Sequence, residues 1–229
     1  MQTEAGRVAL VAGASGMVGK ELVRSLSADG SYRRVIALSR RPLTYDARSV
    51  VNRIVSFESF ENDLRGLSCD EAYCCLGTTI KEAGSEQAFR LIDHDLVLRF
   101  AHFAQSAGAK TLLAVSAASA SSESRNFYLR VKGETELALI ALRFRSLHLM
   151  QPSLLLGARR DWRPAEALAR ALMPLANPLL LGRYEQWRAI PASMVARAMV
   201  AAAALGIPGN HRHTWRALRS LAIDGRLPK

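Results

Sequence analysis

A serine, a tyrosine and a lysine in the middle of the chain have the types and spacing of an acid-base site. Tyr128-Leu-Arg-Val-Lys132 sets a phenol and an ammonium four residues apart, on one face of a helix. A cation beside a phenol favours the phenolate, so the hydroxyl can give or take a proton near neutral pH. Ser116 lies twelve residues upstream in Leu113-Ala-Val-Ser116-Ala-Ala-Ser119, where its hydroxyl can orient a substrate carbonyl. These three form the candidate catalytic set.

A second set, near the N-terminus, suits a dinucleotide. Gly13-Ala-Ser15-Gly16-Met17-Val18-Gly19 repeats glycine at every third position between an apolar run and a helical pattern. Glycine there permits a tight turn, lets a diphosphate approach the backbone amides and lets the helix pack closely on the strand. The start of the helix adds unpaired N–H groups and partial positive charge. Ser39-Arg40-Arg41 ends the second apolar run, where an acidic residue would bind the ribose hydroxyls of NAD. Two arginines and a serine suit a 2′-phosphate, since guanidinium pairs with phosphate and stacks on adenine, so NADP(H) is expected over NAD(H). Leu76-Gly77-Thr78-Thr79 closes the fourth run with a glycine and two hydroxyls, as a strand end over a ligand requires.

The elements that must position these groups alternate. Apolar runs at Arg7–Ala12, Val35–Leu38, Val50–Val55, Ala72–Leu76, Thr111–Val115 and Leu147–Met150 are separated by helical periodicity, notably Ala88–Ala107 and Tyr128–Leu142. Near-continuous apolar strands imply burial on both faces, hence a doubly wound parallel sheet of the Rossmann type in the α/β class. Residues 1–229 are expected to form one domain, with 157–188 as a substrate-side insertion carrying Pro164, Pro174, Pro178, Trp162, Tyr184 and Trp187. Those aromatics either wall an apolar substrate pocket or simply pack. A last helix is expected over Ser193–Leu205, and Trp215, Leu218 and Leu221 are at helical spacing in a basic tail.

Composition narrows the partners. The 31 Lys plus Arg against 20 Asp plus Glu give +11, but the basic residues are mostly arginine and are spread along the chain. Compositional bias accounts for that spread better than a nucleic-acid surface does. Cys69, Cys74 and Cys75 cannot build a disulfide framework and read as buried thiols, the adjacent pair facing opposite sides of a strand. With no export signal and no apolar stretch of membrane-spanning length, a cytoplasmic protein, monomer or homodimer, is expected. His211 and His213 lack cysteine or carboxylate neighbours at ligand spacing, so no metal site is expected.

Together these motifs resemble the atypical branch of the short-chain dehydrogenase/reductase superfamily, in the subgroup containing the Tat-interactive protein oxidoreductase. The resemblance runs from Val8 to about Ala203. Asn126-Phe-Tyr-Leu-Arg-Val-Lys-Gly-Glu-Thr-Glu136, Tyr73-Cys-Cys-Leu-Gly-Thr-Thr79, Gln151-Pro-Ser-Leu-Leu-Leu-Gly157 and Arg163-Pro-Ala-Glu166 carry it. It implies that Tyr128 is the general acid or base, that Lys132 holds the nicotinamide ribose and tunes Tyr128, and that Ser116 polarises the carbonyl. It also implies that Asp63-Leu64 meets the adenine. One departure stands out: the superfamily's best-known members add an asparagine on the helix before the serine strand, where this chain has Asp93, His94 and Asp95. The expected function is reduction of a carbonyl or enone by NADPH. The alternative is an NADP(H)-binding regulatory protein acting through a protein partner.

Overall fold

Strand β1 (Arg7–Ala12) leads through the glycine turn into α1 (Met17–Ala28), followed by β2 (Tyr32–Ser39), β3 (Val50–Ile54) and the short α2 (Phe60–Asp63). The computed structural model that defines these elements describes residues 6–56, 59–156 and 182–228. β4 (Glu71–Cys74) and α3 (Ile80–Ala83) come next. α4 (Glu86–Arg90) then continues through a π-helical turn, Leu91–Asp95, into α5 (Leu96–Ser106). β5 (Thr111–Val115), α6 (Phe127–Ala141) and β6 (Ser146–Met150) complete the central alternation. Beyond them lie β7 (Leu155–Leu156), a 3-10 turn (Gly182–Trp187), β8 (Ile190–Pro191), α7 (Ala192–Leu205), β9 (Gly209–His213) and α8 (Trp215–Asp224).

Seven strands form one parallel sheet in the order β3-β2-β1-β4-β5-β6-β9. β7 and β8 pair separately. The chain winds outward from β1 to β3 and then returns to β4 on the other side of β1. A crevice therefore opens at the C-terminal ends of β1 and β4, the switch point where such sheets bind ligands. Both faces are covered. Val8, Leu10 and Ala12 join a core with α5 and α6, while Ala9 and Val11 join one with α1, α7 and α8. This two-sided burial is why the strands read as continuous apolar runs; a fully buried leucine such as Leu10 contributes roughly 2 kcal/mol over exposure. Cys74 belongs to the first core and Cys75 packs against the second, as their adjacency on a strand requires.

The sheet has a strand that apolar periodicity did not reveal. Gly209–His213 carries no aliphatic residue, yet it pairs in parallel with β6. Its side chains have specific partners: Arg212 reaches Glu136 on α6, while His211 and His213 stack on His148 of β6. The helix expected over Ala88–Ala107 is interrupted by the π-turn, which is decisive below. Of the expected insertion, residues 157–181, Trp162 and the prolines among them, lie outside the described residues. Trp187 ends the 3-10 turn and is 43% exposed. No helix among the described residues is long and apolar enough to cross a membrane.

Candidate active site

The glycine turn divides its labour. A Cβ on Gly13, whose φ is +76°, would fall 2.4 Å from the Cys75 carbonyl oxygen, and one on Gly19 would fall 2.1 Å from the Gly13 oxygen. These two glycines are required for backbone to meet backbone, and they press the turn against the end of β4. Gly16 is different: it is exposed, it is the N-cap of α1, and no side chain caps that helix. The leading amides at Met17, Val18 and Gly19 thus begin a helix whose mouth is lined by glycine and by exposed Ser15, a cradle that fits a diphosphate.

At the end of β2 the arginines and the serine part company. Arg40 and Arg41 are exposed, and neither makes an ion pair among the described residues. Ser39 is buried, donating to the Arg41 carbonyl at 2.7 Å and accepting from Asn52 Nδ2 at 2.8 Å. Asn52 also accepts from the Leu43 amide, so it staples the turn that carries both arginines. The expectation that Ser39 faces a phosphate is therefore corrected: its hydroxyl is spent holding the loop. Asp63 and Leu64 have different surroundings. Leu64 is 3% exposed and lies in the core beside Phe60 and α5, and Asp63 is an exposed helix end.

The end of β4 holds the chemistry. Thr79 is not free either; it is the N-cap of α3, its side chain accepting from the Glu82 amide in a reciprocal capping box. Thr78 contributes its backbone amide, which donates to Asp93 Oδ2 at 2.8 Å. Leu76 is buried. Gly77 is exposed, and a Cβ there would stand 3.3 Å from Asp93 Oδ1 and 3.7 Å from Lys132 Nζ. Glycine at this position brings exposed backbone of the crevice against a buried ion pair.

That pair joins Lys132 Nζ and Asp93 Oδ1 at 2.7 Å, with side chains 7% and 0% exposed. Burial disfavours the Lys132 charge, but Asp93 and then Tyr128 outweigh it and hold the ammonium above the ordinary lysine pKa. The π-turn explains how Asp93 gets there, since widening one turn re-aims a side chain on an otherwise continuous helix. His94 and Asp95 face elsewhere and pair with each other at 2.7 Å. Tyr128 is the second residue of α6, whose first turn is capped by Asn126 accepting from the Leu129 amide. Its ring packs on buried Phe89, centroids 5.4 Å apart. One turn further, Gly133 lets the Ser119–Ser122 loop lie against the helix; a Cβ there would fall 2.2 Å from Ser121 backbone.

Tyr128 and Lys132 thus share a helix face at the crevice, as their spacing requires. Ser116 is near them but engaged: its hydroxyl donates to Glu136 Oε1 at 2.5 Å. Gln151 Nε2 donates to the same oxygen at 2.8 Å, and Arg212 Nε to Oε2 at 2.9 Å. Asp93, Ser116, Lys132, Thr135 and Glu136 together line a small cavity of about 10 Å³. Glu136, Asn52 and Phe89 were missed by sequence reasoning. Glu136 left a usable trace, four residues beyond Lys132 and eight beyond Tyr128, on the same face of α6.

Residues 9–135 match the NAD dependent epimerase/dehydratase family. Protein HTATIP2 of Rattus norvegicus is 33% identical over 194 residues, covering 83% of this chain and 78% of that protein. Protein fmp52, mitochondrial, of Aspergillus fumigatus is 31% identical over 210 residues, 89% of each chain. Among solved structures, MoeE5 in complex with UDP-glucose and NAD superposes with a TM-score of 0.67 at 18% identity, covering 96% of this chain and 81% of that one. The structural likeness bears on the fold, and it matches the seven-stranded parallel sheet. The cytoplasmic expectation is corrected: the fungal relatives carry mitochondrial names. The glycine turn, the sheet order and these matches agree that the chain belongs to the NAD dependent epimerase/dehydratase family of short-chain-type, NAD(P)-binding oxidoreductases.

Proposed function

We propose that this protein is an NADP(H)-dependent oxidoreductase that reduces a carbonyl or enone. One observation carries the reading: Lys132, on the helix of Tyr128, lies directly under exposed Gly77 at the crevice, where a Cβ would stand 3.7 Å from its Nζ. The described residues fit the dinucleotide. Gly16, Ser15 and the first amides of α1 would receive the diphosphate, Arg40 and Arg41 the 2′-phosphate, and Lys132 the nicotinamide ribose. When bound, the dinucleotide supplies the hydride. Tyr128 supplies the proton to the carbonyl oxygen, oriented by Phe89 and backed by Lys132. Ser116 polarises the carbonyl only by releasing Glu136, because its single proton cannot serve both acceptors.

That engagement of Ser116 favours a second reading, an NADP(H)-binding regulatory protein whose output is a partner interaction. Calorimetry and a carbonyl screen separate the two. NADPH should bind more tightly than NADH by tenfold or more, with the preference lost in Arg40→Ala/Arg41→Ala; equal affinities would remove the cofactor assignment. Steady NADPH oxidation that falls at least about a hundredfold in Tyr128→Phe supports the reductase. NADPH binding without reduction of any carbonyl in the screen supports the regulatory reading.

A further inference from the structure

We infer that Asp93 is a positioning residue that keeps this site a proton donor, by seating Lys132 beneath Tyr128 and cancelling its positive charge there. The inference rests on Tyr128 and Lys132 being the acid-base pair of the proposed function. One carboxylate does two jobs. Oδ1 holds the ammonium at 2.7 Å, and Oδ2 holds the Thr78 amide at 2.8 Å, so the catalytic helix is tied to the strand end that faces the cofactor. Thr135, also on α6, donates to the Asp93 carbonyl at 3.0 Å, fixing the π-turn from the other side.

The charge balance has a chemical consequence. An isolated buried ammonium next to a phenol draws the phenolic proton off; an ammonium paired with a buried carboxylate has no net charge with which to do so. Facing the ammonium among the described residues are Asp93 from the π-turn, Tyr128 from its own helix and Cys74 from β4. Burial pushes the Cys74 thiol up to about 12, so it stays neutral. Across the small cavity, Glu136 is paired with Arg212. A second net-neutral pair therefore adds nothing to offset Asp93. Cancelling that charge suits the site to giving a proton to a carbonyl rather than taking one from an alcohol.

The test reads the phenol directly, without nucleotide or substrate. Tyrosinate absorbance near 295 nm is followed against pH as the difference between the protein and its Tyr128→Phe variant, first in the parent and then with Asp93→Asn. Asparagine keeps an oxygen for the Thr78 amide while removing the charge. The Tyr128 band should appear at lower pH in Asp93→Asn, by about one unit. An unchanged or higher onset overturns the inference. Should Asp93→Asn fail to fold, the charge-neutral Asp93→Asn/Lys132→Met double variant decides. A parent-like onset supports the inference. A later onset shows Lys132 acting as an uncompensated cation and overturns it. Absence of NADPH-linked turnover with the band shift intact overturns the proposed reaction alone; turnover without the shift overturns only the role of Asp93.

Discussion

Two buried carboxylates mark the opposite ends of β4, each with a cation and tyrosine nearby. At the N-terminal end, Glu71 is 5% exposed and takes Arg7 at 2.6 Å, the Tyr32 hydroxyl at 2.6 Å and the Tyr73 hydroxyl at 2.7 Å. The Arg7 guanidinium also lies over the Tyr32 ring, 4.4 Å from its centroid. Burial, with Glu71 adding to it, raises both phenols, so they stay protonated and donate. At the other end Asp93 meets Lys132 and the Thr78 amide, with Tyr128 on the lysine's helix. The same ingredients make a clamp below and a candidate site above. The difference is position rather than exposure: the lower pair, 31% and 7% exposed, lies at the N-terminal edge of the sheet, whereas the upper, 7% and 0% exposed, lies under exposed Gly77 at the ligand-binding end. Residue type alone does not distinguish a structural cluster from a catalytic one.

The largest expected effect breaks the lower end. Glu71→Ala strands two phenols and a guanidinium, and should destabilise the fold by about 3 to 5 kcal/mol in urea unfolding. NADPH affinity of the folded fraction should be unchanged. A parallel loss of affinity would mean that the two ends are coupled through β4.

A middle effect separates acid lability from either carboxylate. His148 and His213 are buried and in contact, Nδ1 to Nε2 at 2.9 Å, between β6 and β9. Burial first, then the neighbouring imidazoles, lowers His148 to about 3 and His213 to about 4 from 6.5. The unfolded chain therefore binds more protons than the native one below 6.5, and stability falls with falling pH. Above that value the contribution is complete; at pH 5 it has dropped by about 2 kcal/mol per imidazole. Thermal unfolding from pH 7 to 5 should reveal this decline, and His148→Phe/His213→Phe should flatten it. A decline that survives the double variant would assign acid sensitivity elsewhere.

The smallest effect probes the upper end. Gly77→Ala adds a methyl that meets only the tips of Asp93 and Lys132, so stability should change by less than about 1 kcal/mol. NADPH affinity should nevertheless fall about tenfold, roughly 1.4 kcal/mol, because the added carbon stands over the ion pair. Calorimetry showing parental affinity would mean that the dinucleotide does not lie over Gly77.

The sequence determined what depends on short-range order. Strand-helix alternation, burial of β1 on both faces, the glycine turn and the shared face of Tyr128 and Lys132 follow from periods of two and 3.6 residues and from an i, i+4 spacing. Only the tertiary structure decided how the polar groups are used. Ser116 and Glu136 are 20 residues apart, Lys132 and Asp93 are 39 apart, and Arg212 reaches Glu136 across 76. Their pairing depends on which strand lies beside which and on one widened helical turn. Polar β9 was hidden for the same reason: its stability comes from the free edge of β6 and the partners that edge supplies, not from an apolar pattern of its own. Periodicity records which residues are buried. It does not record which hydroxyl or carboxylate has already found a partner, and at this site Ser39, Thr79 and Ser116 all have.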